Sequence, residues 1–250
     1  MKNLTLGTAA ALALASGLHA STTYIETFTN DSGTANQNLA HVGWKGYYGN
    51  NSGTPSVADT YTNNADFGIN SGNDYFQAKQ GWHSSGKHIE TFIYTDEPGS
   101  IALQDITVLS VDIRRDFAGG SGANATARLA LEIGGVWYVT DENRYSPRSS
   151  GDEATFTTLS IDPSSSLAAA NWFTLADPSA SLGLGAVPGT AFSGAETVTQ
   201  YGVWFTDDSN GAGGTQWTKV DNFTVTSVPE PSSAVLLGIG GLSLVMRRRR

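Results

Sequence analysis

The sequence contains no cysteine. Disulfide staples, a thiol nucleophile, thiolate zinc sites and a lipidated cysteine anchor are therefore excluded. Basic residues are scarce as well, with 14 Lys and Arg against 23 Asp and Glu. Lys2 and the four closing arginines account for five of the 14, and Glu230 is the one acid outside residues 21–227. That central stretch carries 9 basic and 22 acidic residues, a net charge near −13. Such a surface repels phosphate backbones, which excludes nucleic acid as a partner, and it is compatible with solubility and with divalent cations. Also missing are a Gly-x-Ser-x-Gly elbow, a His-Glu-x-x-His helix, a phosphate-binding loop and the Glu-x-Asp-x-x-Glu arrangement of sandwich-fold glucanases. With none of these motifs present, a non-catalytic role is expected.

What is present begins with the two ends. Residues 1–20 run from Lys2 through an apolar stretch at 4–15 to small residues, the layout of a secretory signal peptide cleaved after Ala15 or Ala20. Sec-type export machinery is the implied partner. Residues 228–250 form a second segment of distinct composition. Residues 21–227 remain, a length suited to one all-β domain with a sizeable core.

Within that stretch the apolar segments are short, alternate with period two and are separated by Gly, Thr, Ser, Asn and Asp. Residues 24–29, 75–80, 88–94, 106–114, 127–133, 136–140, 154–161, 199–206 and 217–226 read as strands. Gly134-Gly135 marks a hairpin, because a two-residue primed turn needs positive φ. Only 165–175 offers a short helix. About ten strands with almost no helix predict an all-β fold, an antiparallel two-sheet β-sandwich of jelly-roll type, with its first and last strands as neighbours. A signal helix and a C-terminal transmembrane helix would flank it.

Trp44, Tyr47 and Tyr48 lie in WKGYYGNN, and Trp82 lies in QGWHSSGKH. Rings in such polar contexts stack on sugar faces while neighbouring Asn50, Asn51, Asn73 and Asp74 bind hydroxyls; the same rings would equally fill a sandwich core. Polysaccharide is the expected ligand. Paired carboxylates suit glycoside hydrolysis, and Glu90, Asp112, Asp116 and Glu132 are available for it. A glycan-cleaving hydrolase using Glu90 and Glu132 is therefore the alternative reading, and a structural matrix component without a small ligand is a third. Glu26 and Asp221 are placed on the first and last strands. In that placement they are similar to acids of jelly-roll glycan-binding modules that share a structural calcium with backbone carbonyls, which implies calcium as a cofactor here.

At the C-terminus Val228, Pro229, Glu230 and Pro231 precede an uncharged apolar stretch, residues 234–246, and then Arg247, Arg248, Arg249 and Arg250. At ~1.5 Å per residue the apolar stretch reaches about 20 Å, short of the ~30 Å hydrocarbon core. The arginines form a cytoplasmic stop. A short span with a strong stop suits a temporary anchor in the inner membrane. This three-part order resembles the PEP-CTERM sorting signal of Gram-negative bacteria that make exopolysaccharide. The resemblance implies recognition at Pro229-Glu230-Pro231 by an exosortase, a membrane-embedded cysteine transpeptidase-like protease, and release to the cell surface or extracellular matrix. Two prolines keep that segment extended and out of any helix or ladder. Upstream, the chain is similar in a general way to concanavalin- and galactose-binding-like sandwiches.

Overall fold

The computed structural model describes residues 21–29, 37–50, 56–57, 67–69, 74–80, 88–118, 124–141, 144–146, 155–178, 182–208 and 215–228. The expected signal helix, the apolar stretch 234–246, the Pro-Glu-Pro segment, the closing arginines and Trp82 lie outside these residues. No helix among the described residues is long and apolar enough to cross a membrane.

In chain order the strands are β1 (Thr22–Glu26), β2 (Lys45–Asn50), β3 (Ser56–Val57), β4 (Phe67–Ile69), β5 (Phe76–Gln80), β6 (His88–Thr95), β7 (Ile101–Ala102) and β8 (Ile106–Ala118). They continue with β9 (Asn124–Ile133), β10 (Val136–Thr140), β11 (Arg144–Ser146), β12 (Thr157–Ile161), β13 (Trp172–Leu175), β14 (Thr197–Asp208) and β15 (Thr215–Ser227). Every pairing is antiparallel. A six-stranded sheet runs β12-β8-β15-β5-β4, with β1 beside β15. A nine-stranded sheet runs β13-β10-β9-β14-β6-β2-β3, with β11 on β9 and β7 on β14. The chain is an all-β, two-sheet sandwich, and its first and last strands are neighbours, as the alternation pattern predicts.

Period-two alternation explains the layering. Leu109, Val111 and Ile113 of β8 point into the space between the sheets, as do Leu129 and Leu131 of β9 and Tyr201, Val203 and Phe205 of β14. On β15 the inward residues are Val220, Phe223 and Val225. Val220 and Phe223 are three apart, so strict alternation would turn Phe223 outward. A bulge between Asp221 and Thr224, with Asn222 at φ 48°, absorbs the extra residue and returns Phe223 to the core.

Residues 165–175 are not a helix. A 3-10 turn at Ala169–Asn171 leads straight into β13, because Trp172 and Leu175 are both buried and pair along β10. The Gly134-Gly135 hairpin is as expected, with φ of 61° and 80° joining β9 to β10. A second, smaller apolar cluster covers the outer face of the nine-stranded sheet. There Phe92, Val139, Trp137 and Trp204 pack with Leu175 at the end of β13 and with Leu182, which lies beyond that strand.

Candidate functional site

Three features bear on function: the outer face of the larger sheet, the acids around β1 and β15, and the exit of the chain toward its C-terminus. The outer face is built in rows. One row crosses Lys45, Tyr94, Gly202, Ala130, Val139 and Phe173; the next crosses Tyr47, Phe92, Trp204 and Arg128. Rings make up three of the four residues in the second row and two of the six in the first. Tyr47 and Tyr94 stack at 6.1 Å and 13°, Tyr94 and Phe92 at 5.4 Å and 16°, and Trp137 meets Phe92 edge-on at 4.6 Å. Phe92, Trp137 and Trp204 are buried, and Trp204 Nε1 donates to the Leu182 carbonyl at 2.8 Å. Tyr47 and Tyr94 are half-buried and Lys45 is exposed. The aromatic row thus emerges from its cover at the β2 side of the sheet.

Arg128 closes the covered end. Its Nη1 donates to the carbonyls of Thr140 and Asp141, the latter at 2.6 Å, and its guanidinium lies 5.1 Å from the Phe173 ring centre. Burial lowers its pKa from the ordinary value, opposed by Asp141 at 3.9 Å.

The expected glycan-stacking residues divide. Tyr47 is on the outer face with one side in reach of solvent. Tyr48 is on β2, but its side chain is outside the described residues, and Trp82 is outside them altogether. Trp44 does not stack on a ligand: it is fully buried, 5.0 Å from Phe28 and 4.9 Å from Phe223, and its Nε1 donates to Tyr24 Oη at 3.3 Å. The polar flanks of Trp44 mislead because a 3-10 turn at Leu39–Val42, ended by Gly43 at φ 76°, swings the indole inward. Tyr94 is absent from the expected set. Its signal is the alternation Phe92-Ile93-Tyr94, which puts two rings on the face opposite Ile93.

Glu90 and Glu132 do not form a hydrolase pair. Glu90 faces Thr206 and Glu132 faces Gln200 on the shared neighbour β14. Six residues of strand separate them by about 20 Å, far from the ~5–9 Å of paired glycosidase carboxyls. Glu132 accepts from the Thr199 hydroxyl at 2.9 Å. Asp112 is on the other sheet, held by Thr158 Oγ1 at 2.5 Å and Asn222 Nδ2 at 2.9 Å. Asp116 of β8 pairs Trp217 of β15, with the Asp116 side chain outside the described residues.

Glu26 and Asp221 are brought to one region by the β1–β15 pairing. Glu26 Oε1 accepts the Phe28 N–H at 2.6 Å and its Oε2 accepts from the Tyr24 hydroxyl at 3.5 Å, while Asp221 Oδ1 accepts the Asn222 N–H at 2.7 Å. Burial pushes the Glu26 carboxyl up; the Phe28 N–H opposes this and Asp221 adds to it. Burial also raises Asp221, opposed by Asn222 N–H and reinforced by Asp112 and Asp74. Phe28, Asp74 and Asn222, each at φ between 42° and 48°, all adjoin this pair. Among the described residues no group of three or more His, Asp or Glu side chains is arranged to hold a metal, so a cation here would take two carboxylates and main-chain carbonyls.

At the exit, β15 runs to Ser227 and the Val228 N–H still donates to the Asp105 carbonyl at 2.8 Å. The extended chain therefore meets Pro229 with no linker between. A family model for the PEP-CTERM protein-sorting motif matches residues 227–250. The tail is a PEP-CTERM sorting motif. It indicates export and exosortase-mediated sorting to the cell surface or beyond, with exosortase as the processing partner.

No curated protein sequence matches the chain. Among solved structures, a family 11 carbohydrate-binding module from Clostridium thermocellum, in complex with a β-1,3-1,4-mixed-linked tetrasaccharide, is 14% identical. That match covers 80% of this chain and 95% of the module, with a TM-score of 0.36. An alginate lyase in complex with dimannuronate is 8% identical over 81% of this chain and 99% of its own, at a TM-score of 0.38. An arabinose-bound α-L-arabinofuranosidase is 13% identical over 82% of this chain and 27% of its own, at 0.37.

Proposed function

We propose that the chain is an exported, non-catalytic sandwich that exosortase processes and that binds polysaccharide on the outer face of its larger sheet. The observation that carries the binding reading is the aromatic row that leaves its cover at Tyr94 and Tyr47, beside the exposed Lys45. These two rings contribute little to the core between the sheets, and a half-exposed aromatic edge next to a cation suits a sugar ring and its hydroxyls. Transient anchoring in the inner membrane by residues 234–246, with Arg247–Arg250 inside, completes the route; in Val228-Pro229-Glu230-Pro231 the enzyme would find its site.

The binding reading is tested with the tail-processed protein on a panel of neutral and acidic polysaccharides, followed by titration of the best ligand. Tyr47→Ala and Tyr94→Ala are each expected to weaken binding about 2- to 10-fold, whereas Thr158→Ala on the other sheet leaves it unchanged. A folded protein that binds none of the panel removes the proposal.

Glu26 and Asp221 are proposed to hold a structural calcium with neighbouring carbonyls. When bound, the ion supplies positive charge to two carboxyls that burial disfavours as anions. The sign of the effect follows from their raised pKa values. Without a cation, each group favours folding below the ordinary carboxylate range, and that contribution is lost as pH rises through the raised value. Glu26→Gln keeps an oxygen for the Phe28 N–H. In chelator at pH 7 it is expected to raise the melting temperature, with the gain vanishing near pH 4; in calcium it is expected to lower it. A gain under both conditions rules out an ion at this pair.

A further inference from the structure

The two ends of the domain are clasped together, and the clasp reaches Val228, the residue before the sorting motif's Pro-Glu-Pro. β1 pairs β15 from Glu26↔Phe223 to Thr22↔Ser227. On its other side the same stretch of β15 pairs β8, from Thr224↔Ser110 to Ser227↔Ile106. The Val228 N–H to Asp105 carbonyl bond extends that ladder by one residue. Side chains reinforce it: the Thr23 and Thr226 hydroxyls are 3.2 Å apart, and Thr107 Oγ1 donates to the Thr226 carbonyl at 3.4 Å. Ser227 is buried. Pro229 has no N–H, so the ladder ends there for a chemical reason.

Little room remains on the other side. Residues 229–233 separate the ladder from the apolar stretch that begins at Ala234. Five extended residues span at most about 17 Å, and the headgroup layer takes about 6 Å of that. A protease that holds its substrate as an added strand needs free main-chain donors and acceptors. Upstream of the Pro-Glu-Pro these groups are already spent within the sheet.

We propose that exosortase acts on this chain only while the end of β15 is open, and that docking of β1 closes the substrate. The proposal rests on the exosortase reading of the tail and adds its regulation. β1 is suited to the part. It is a five-residue edge strand with β15 as its partner, and its Ile25 is 56% exposed, so it opens at lower cost than the long inner strands β8 and β14. Thr22 also stands just behind the expected signal-peptide cleavage site, so the clasp forms fully once that end is free. Because both chain ends leave the same end of the smaller sheet, the signal segment and the tail can occupy one membrane together until each is cut. Where opening is fast, the cleavage rate follows the population of the open form.

The test uses the full-length chain in an exosortase-producing host, with the ratio of tailed to tailless protein followed by pulse-chase. Thr23→Cys with Thr226→Cys places one bridge across the clasp in a chain that has no other cysteine, and non-reducing gels report its formation. The bridged protein is expected to lose its tail about tenfold more slowly than either single variant. Reductant, or a Gly/Ser spacer of about eight residues after Val228, is expected to restore the rate. Ile25→Pro, which opens the clasp, is expected to speed it. Tail loss from the bridged protein at the single variants' rate overturns the proposal. Glu230→Ala separates the two levels: if that variant is processed normally, the exosortase reading itself fails, whatever the bridge does.

Discussion

Trp44→Ala is expected to remove about 3–5 kcal/mol of folding stability, read as a lower urea midpoint at unchanged slope. The indole is one of two fully buried tryptophans among the described residues, and it joins elements far apart in sequence: Phe28 just after β1, and Phe223 on β15. Its edge-on contacts at 5.0 and 4.9 Å are each worth about 0.5–1.5 kcal/mol beyond the area they bury. Its Nε1 also satisfies Tyr24 Oη, whose pKa burial pushes up to about 12, so the hydroxyl stays neutral and free to accept. Truncation empties this space and leaves the Tyr24 hydroxyl without that donor. Trp44→Phe retains most of the volume and is expected to cost less. Folded Trp44→Phe protein is expected to bind polysaccharide as the parent does; a loss of affinity would place the ring at a ligand, against its full burial. A cost under about 1 kcal/mol for Trp44→Ala would show that the core does not depend on it.

Strands are legible in the sequence wherever alternation is uninterrupted. Residues 106–114 and 199–206 lie within β8 and β14, long strands with a neighbour on each side. β2 is hidden because Lys45–Asn50 reads KGYYGN, rich in turn formers, and its strand state comes from pairing with β6 and not from its own propensity. Residues 165–175 err the other way: their alanines suggest a helix, but Trp172 and Leu175 are committed to burial along β10. The β1–β15 neighbourhood is legible as topology, whereas the bulge at Asn222 is not, since VDNFTVT reads as one continuous alternating strand with a single misplaced step. The sorting motif is legible because its three parts follow one another in sequence. The outer face is not, because Tyr47, Tyr94 and Trp137 come from three separated segments, and only the register aligns them.

That register sets up the second large effect, at a residue without a side chain. Gly202 lies on the outer face of β14 between Tyr94 and Ala130. A Cβ there would stand 2.4 Å from the Ile93 carbonyl oxygen, 3.0 Å from Tyr94 Cβ and 3.2 Å from Phe92 Cε2. Phe92 can rotate, but the Ile93 carbonyl is main chain at the β14–β6 pairing and cannot retreat without opening it. Gly202→Val is therefore expected to cost about 1–3 kcal/mol, at the upper end of that range, with Gly202→Ala smaller in the same direction. The substitution also lifts Tyr94 out of its stack with Tyr47. Polysaccharide affinity should then fall about as far as in Tyr94→Ala, even at temperatures where Gly202→Val is fully folded. Adding Phe92→Leu relieves the ring contact but not the carbonyl contact, so it is expected to return only part of the stability. The double-mutant coupling between positions 92 and 202, measured by urea denaturation, gives the ring's share. Full rescue would mean that the rings, and not the ladder, require glycine at 202. An unchanged affinity in folded Gly202→Val would detach the ligand from this row and move the search for its binding site to another face.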